Sequence, residues 1–397
     1  MSMSPSFDLA RARADTPGVA NVLHFNNAGC ALPIRDVVDA CVAYLRLEAE
    51  IGGYEAADRM SAELARPYAA LAKLLNSAPE EIALVENATR AWDSVFYALK
   101  LEPGDRILTG QAEYSSNFIG FLHRQQRDGI VIDVAPNSES GEVSVEALQG
   151  MIGPHTRLIA ITHVPSTGGL VNPVASIGAI ARQAGIPFLL DATQSVGQIP
   201  IDVDVIGCDM LVGTSRKCLR GPRGVGFLYV RRGMLDKLEP VFLDDHAATW
   251  IGDFEFRKRA DVRKFESPEC SYASRIGFGV ALDYALEWSI PVLSRRIFAL
   301  AATLRSELTA LPRVRLHDTG REQCGIVTFS VDGCDPAQLR AYLGQRRINV
   351  TVATIEATRL DMGPRGLDRM IRASVHYYNS NDEIDRFVQA ISTVQPD

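Results

Sequence analysis

Apolar and polar positions follow two different periods along the chain. Over residues 34–51 apolar side chains recur at helical spacing (Val38, Cys41, Leu45), and over 60–76 they do so again (Leu64, Ala69, Leu71, Leu75). Both stretches are predicted to be helices with one buried face. Short apolar runs follow at 106–108, 130–134, 158–162, 187–191, 210–213 and 225–230, separated by helical stretches. They are rich in branched residues and hardly alternate, which is the pattern of strands covered on both faces. Strand–helix alternation over 80–230 therefore predicts an open, mostly parallel α/β sheet. Ligands of such sheets sit beyond the carboxyl ends of the strands, so polar residues directly after a run are the ones to inspect. Past Glu269 the pattern changes. Long helices are predicted at 272–288 and 292–311, strands at 325–331 and 349–352, and helices at 335–345 and 382–393. This reads as a smaller α+β domain, with a boundary near 270–295.

Composition narrows the class. The 397 residues are 47% hydrophobic and 22% charged, as in ordinary globular proteins. The net charge of −7 gives no basic footprint, so no nucleic-acid partner is expected. No apolar run reaches the ~18 residues of a membrane span, and MSMSPSFDLARARADTPG lacks a signal peptide's apolar core. A cytoplasmic protein with no membrane partner is the expectation. The seven cysteines form no C-x-x-C pair, so no metal site is expected and the thiols read as reduced and mostly buried.

The usual nucleotide, dinucleotide, serine-hydrolase and zincin motifs are missing. What stands out is an acid and a lysine at successive strand ends. The run PFLLD closes on Asp191, and the next, DMLVGT, leads into Ser215, Arg216 and Lys217 and then CLRGPRGVGF. Arg216, Arg220 and Arg223 give the lysine reason for a depressed pKa, because like charges disfavour its protonated form. A neutral amine can form a Schiff base with a carbonyl. A carboxylate beside a pyridine nitrogen can keep that nitrogen protonated and the ring an electron sink. A surface basic cluster with Asp191 as a helix cap is the plainer alternative. The pairing of the two at consecutive strand ends favours a cofactor.

With LLDATQSVG, GTSRKCLRGPRGVGFLYV, ENATRAWD and IRASVHYYNSNDEID in place, the chain resembles the pyridoxal-phosphate enzymes of fold type I, in the class V aminotransferase and cysteine-desulfurase group, from about His24 to Ile391. The resemblance implies a segment 1–23, a large cofactor-binding α/β domain 24–270, and an interdomain helix with a small α+β domain over 271–397. It implies pyridoxal 5'-phosphate as cofactor, a small amino-acid substrate and a homodimer with the site near the interface. Lys217 resembles the lysine that bonds the cofactor and shuttles the Cα proton. Asp191 resembles the partner of the ring nitrogen, Gln194 the contact to the ring hydroxyl, and Tyr114 the ring-stacking residue, usually a histidine. Ala88 and Thr89 match the phosphate-cradling helix start, and Thr214 and Arg216 match further phosphate contacts. Ser166 stands where an asparagine usually touches the cofactor, and Arg372 matches the arginine that grips the substrate carboxylate.

Other positions depart from the desulfurase pattern. Arg216 replaces a histidine, and FESPECSYAS replaces a G-T-P stretch that reaches a neighbouring subunit. INVTVATIEATRLDMGPRG holds no cysteine where desulfurases carry their sulfur-accepting thiol; Cys218 is the nearest substitute by sequence and reads as a small core residue. RLEAEIGGYEAADR, SRKCLRGPRGVGFLYV and NNAGCALP resemble segments of hercynylcysteine sulfoxide lyases, which adds Tyr54 and Ala28 as substrate contacts. For GGYEAAD a flexible helix end is nearly as good a reading. The resemblance thus implies a C–S lyase that splits the Cβ–S bond of an S-substituted cysteine or its sulfoxide into a sulfur fragment, pyruvate and ammonia. Class V transamination, amino-acid epimerisation and cysteine desulfuration are the alternatives. His163, His376 and Trp92 read as structural before functional. Residues 244–268 read equally well as a wall for a bulky or anionic substrate and as a solvated loop.

Overall fold

A computed structural model describes residues 7–395. The apolar runs become one seven-stranded sheet, in the order Ile82–Val85, Gly226–Val230, Met210–Thr214, Phe188–Asp191, Thr156–Thr162, Arg106–Gly110, Val131–Ala135. The last five are parallel, and Gly226–Val230 is antiparallel to both its neighbours. The mostly parallel sheet is therefore present, with one reversed strand and with an added edge strand, Ile82–Val85, outside the runs named above. Successive side chains of these strands enter two different cores. Leu190 and Leu211 pack on one side; Leu189, Met210 and Val212 pack on the other. Because both faces are dry, the runs carry no polar alternation.

The winding of the sheet reverses between Arg106–Gly110 and Thr156–Thr162. The chain first builds outward to Val131–Ala135, then returns to the other side of Arg106–Gly110 and proceeds to Phe188–Asp191 and Met210–Thr214. Such a reversal opens a crevice at the carboxyl ends of the strands.

The smaller sheet is antiparallel, in the order Val314–Leu316, Ile326–Val331, Arg369–Ser374, Thr351–Thr354. Helices Tyr272–Trp288 and Ile290–Thr309 lead into it. They bend by 81° at Ser289, whose φ is 68°, and Pro291 falls in the first turn of the second helix, where a missing N–H is harmless. Among the described residues no single helix is long and apolar enough to cross a membrane; this bent pair has the length, and it buries Phe278, Leu282, Leu293 and Leu300 in the core.

The N-terminal stretch belongs to both sheets' surroundings. Leu23–His24 pairs in parallel with Ile348–Asn349, Asn26 bridges to Ser374, and the Ala31 amide donates to the Arg216 carbonyl at 3.0 Å. The helix predicted at 34–51 is Arg35–Ile51, and it stops at Gly52, whose φ of 100° suits glycine alone. Gly53–Arg59 is a separate short helix. Residues 244–268 contain a hairpin, Ala248–Gly252 with Glu255–Lys258, that holds Trp250, Phe254 and Phe256 in solvent.

Candidate active site

The carboxyl ends of the parallel strands surround a cavity of about 460 Å3. Its wall contains Ala88, Thr89, Tyr114, Ser166, Asp191, Gln194, Thr214, Arg216 and Lys217, nine residues that the sequence nominates from five separate stretches. Asn87, Arg90, Asn117, Thr162, Val164 and Thr193 complete it.

Asp191 ends its strand in the middle of the sheet, paired with Val212 on one side and Thr162 on the other. Its carboxylate accepts from the Thr193 amide at 2.8 Å and from Asn117 Nδ2 at 2.9 Å. The same Asn117 nitrogen donates to Glu113 Oε1 at 2.8 Å. Glu113 is buried, and it also accepts from the Tyr114 and Thr162 amides at 3.1 and 3.0 Å and from the Thr162 hydroxyl. Burial pushes its carboxyl up to about 7, against the pull of Thr162 and Asn117.

Lys217 follows the neighbouring strand by three residues. The turn that carries it is closed by Gly221 N to Ser215 O and Arg220 N to Lys217 O, both at 2.9 Å. Burial is the main force that lowers its amine to about 7; Arg216 and Arg372 add to this, and Asp191 opposes it. The expected depression is present, but two of the three expected causes are not. Arg220 points away, donating to Leu32 O at 2.8 Å and Tyr377 Oη at 2.9 Å, and lies over the Tyr378 ring. Arg223 acts on Arg216 instead.

Helix Ala88–Phe96 begins at the cavity, with Asn87 as its cap: the Asn87 side chain accepts from Arg90 N at 2.9 Å. A helix start offers amides without helical partners to an anion. Gly226 makes this approach possible, since a Cβ there would meet Asn87 C at 2.4 Å. Thr214, opposite Gly226 in the sheet, sends its hydroxyl to Val225 O at 3.4 Å.

Arg372 comes from the smaller sheet. It donates through Nη1 to Ser166 O at 3.0 Å and through Nη2 to Asn26 Oδ1 at 3.4 Å. Its Nε is buried without a partner, and burial lowers its guanidinium to about 10. Among the described residues it forms no ion pair, nor does Arg216, which donates to Gly29 O. Gln194 Nε2 donates to Ala28 O at 3.0 Å, while Gln194 Oε1 and Thr193 Oγ1 are buried without partners. A buried polar atom left unpaired costs about 1–3 kcal/mol. Two such atoms in one cavity wall, Gln194 Oε1 and Thr193 Oγ1, suit a polar guest.

Some nominated residues are not in the cavity wall: Arg372 reaches it only through Ser166 and Ala28 only through Gln194. Tyr54 is 87% exposed on the Gly53–Arg59 helix and takes no part in the cavity wall. The 244–268 hairpin does not line the cavity either. His376 is buried against Tyr378 and bonds Cys218 O at 3.1 Å, and Trp92 is buried beside Phe121; both pack the core, as expected. His163 is buried and held neutral by burial, down to about 4, while its amide donates to Asp191 O. Cys218 is buried with its thiol pushed up to about 12, which makes it a poor nucleophile. Glu113 and Asn117, in QAEYSSN, are the pair that the sequence reading passes over; their spacing of four at a helix start was the available signal.

The donor set suits pyridoxal phosphate. It has a helix start and threonines for a phosphate, a carboxylate for a ring nitrogen, an unpartnered amide oxygen for a hydroxyl, and a neutral buried amine for an aldehyde.

Comparison with known proteins points the same way. Residues 23–387 match the family model for aminotransferase class-V. A probable cysteine desulfurase of Xylella fastidiosa is 30% identical over 402 residues, spanning 98% of this chain and 96% of that protein. A probable hercynylcysteine sulfoxide lyase of Mycobacterium tuberculosis is 29% identical over 386 residues, spanning 96% and 92%. The cystine C–S lyase C-DES, solved in complex with its reaction product cysteine persulfide, superposes with a TM-score of 0.87 at 25% identity, over 96% of this chain and 100% of that one. Desulfurases match as well as the narrower lyase, so the likeness extends to the wider group and does not single out the lyase.

Proposed function

The chain belongs to the aminotransferase class-V family, as a fold-type I enzyme dependent on pyridoxal phosphate, and within that family we propose that it cleaves the C–S bond of a cysteine-derived amino acid. The observation that carries this reading is one cavity whose wall holds both Lys217 and Asp191, with Arg372 hydrogen-bonded to the wall residue Ser166 and its Nε left without a partner.

When bound, the cofactor supplies an electron sink for the pair released at Cα. Lys217 anchors the cofactor aldehyde, and its amine, neutral above about pH 7, takes the Cα proton. Asp191 holds the proton on the ring nitrogen. Gln194 accepts from the ring hydroxyl through Oε1, because its Nε2 is committed to Ala28 O. Tyr114 covers a ring face, and Ser166 borders the ring. The amides of Ala88 and Thr89, with Thr214 and Arg216, hold the phosphate. Arg372 grips the substrate carboxylate with Nε and a terminal nitrogen, its outer face fixed by Ser166 O. Ala28 is outside the cavity wall and acts on the site through its carbonyl, which fixes Gln194. Tyr54 contributes to substrate binding only through a second copy of the chain, since it is remote from this cavity.

For the sulfur atom, the cavity supports direct release: an S-substituted cysteine and water give a sulfur fragment, pyruvate and ammonia. Residues 351–368 contain no cysteine to receive sulfur, and the thiol nearest Lys217 in sequence, Cys218, is buried and protonated. Desulfuration is the second reading. It is favoured by the relatives' names, the probable cysteine desulfurase at 30% identity among them. Incubation with cysteine, cystine, S-methylcysteine and its sulfoxide, read by mass spectrometry, separates these outcomes. Pyruvate supports direct release, and alanine with a protein persulfide supports desulfuration. Solvent deuterium at Cα with the side chain intact, or a new amino acid from an added keto acid, would overturn both.

A further inference from the structure

Behind the cavity wall lies a second, buried carboxylate, Glu113, to which three wall residues, Tyr114, Asn117 and Thr162, donate. Glu113 sits just past Arg106–Gly110 and Thr162 ends Thr156–Thr162, so they meet where the winding of the sheet reverses. The Thr162 amide, the Tyr114 amide and Asn117 Nδ2 can only donate, which suits an ionised Glu113. Asn117 Nδ2 thus spends its two hydrogens on two carboxylates, Glu113 at 2.8 Å and Asp191 at 2.9 Å.

We propose that Glu113 is a positioning residue for Asp191, acting through the bridging amide of Asn117 to keep Asp191 aimed at the cofactor's ring nitrogen. The logic is geometric. An asparagine amide can present either its NH2 or its carbonyl to a neighbour. A carboxylate fixed behind it by two backbone amides forces the NH2 to face both ways. Turned round, the carbonyl of Asn117 would repel Asp191. Thr162 joins the relay from the strand next to Asp191, so the carboxylates are tied to adjacent strand ends and not to a loose loop.

This rests on the proposed contact of Asp191 with the ring nitrogen, and the test separates the two claims. The apoenzyme's affinity is measured for pyridoxal phosphate and for its 1-deaza analogue, in which C–H replaces the ring nitrogen. Wild type should prefer the natural cofactor. Glu113→Gln and Asn117→Ala should each lower that preference by tenfold or more, with affinity for the analogue changed far less. Asn117→Ala leaves Glu113 paired with Thr162, so it serves if Glu113→Gln folds poorly against so many donors. In the loaded variants the visible band should also become pH-dependent where wild type is flat. A wild-type preference that both variants retain overturns the relay alone. A wild type with no preference overturns the Asp191 contact, and the relay with it.

Discussion

Arg372, on the smaller sheet, donates to the Ser166 carbonyl of the larger domain at 3.0 Å, so the group assigned to the substrate carboxylate is aimed by a backbone atom of the other domain. The guanidinium fork is needed for that double duty, and an ammonium cannot reproduce it. Arg372→Lys should raise KM about 10- to 100-fold, the equivalent of ~1.5–3 kcal/mol for a charged hydrogen bond. The cofactor's absorbance should be unchanged. Steady-state kinetics of pyruvate release, together with the visible spectrum, checks both.

Lys217→Ala removes both the cofactor's anchor and the proposed base. Turnover should fall by on the order of 10^3-fold or more, at the upper end of a positioned acid–base group's contribution. The yellow colour of the purified protein should disappear. Retained turnover would mean that another group does this chemistry.

The lowered amine of Lys217 has a pH signature in the apoenzyme. Its folded value of about 7 lies below the ordinary lysine range of about 10.4. Between these values the unfolded chain binds the proton and the folded chain does not, so stability rises with pH across that window. Below about 7 the burden of a buried ammonium is fully present, and above the window it is gone. Denaturant titrations should show apo wild type gaining stability from pH 7 to 10 relative to apo Lys217→Met, with no change in the gap below pH 7.

Direct release of the sulfur fragment makes no demand on a protein thiol. Cys30→Ser and Cys218→Ser should each keep pyruvate release within about threefold, a shift of less than ~1 kcal/mol in the barrier. Cys30 is the sharper probe, because it adjoins Gly29, which accepts from Arg216. Loss of activity in Cys30→Ser, with a persulfide on that residue in wild type, would move the assignment to desulfuration.

The hairpin aromatics make a physical claim about assembly. Trp250 and Phe254 are 79% and 103% exposed, and Phe242 nearby is 77% exposed. Apolar surface of this kind is normally covered by a partner, and we expect a second copy of the chain to cover it. Sedimentation should give twice the 43.3 kDa chain mass, and Phe254→Glu with Trp250→Glu should shift the equilibrium towards single chains.

Much of the site is legible in the sequence because strand ends are. Runs such as 187–191 and 210–213 declare themselves by their apolar composition, and the residues at and just past their ends, Asp191 and Lys217, share one cavity wall. Relations that depend on the order of strands are harder to read. Glu113 matters because Thr162 lies beside it, and nothing local to QAEYSSN reveals that Thr156–Thr162 returns next to Arg106–Gly110. The same holds for Arg220: its position beside Lys217 in the chain suggests a shared field, while the turn sends it to Thr16 and Tyr377. Helix periods are clear at 34–51 and 60–76, but the Gly53–Arg59 helix depends on a left-handed Gly52 that periodicity does not register.

The pairing of Leu23–His24 with Ile348–Asn349, and of Asn26 with Ser374, has a bearing on how the enzyme is made. Residues 28 and 29 brace Gln194 and Arg216, yet they are held in place by strands near the other end of the chain. A nascent chain on the ribosome can assemble the large sheet and the cavity wall, which comes from residues 87–217, before that bracing exists. The bracing behind Gln194 and Arg216 is therefore a late event, completed only once nearly the whole polypeptide has emerged.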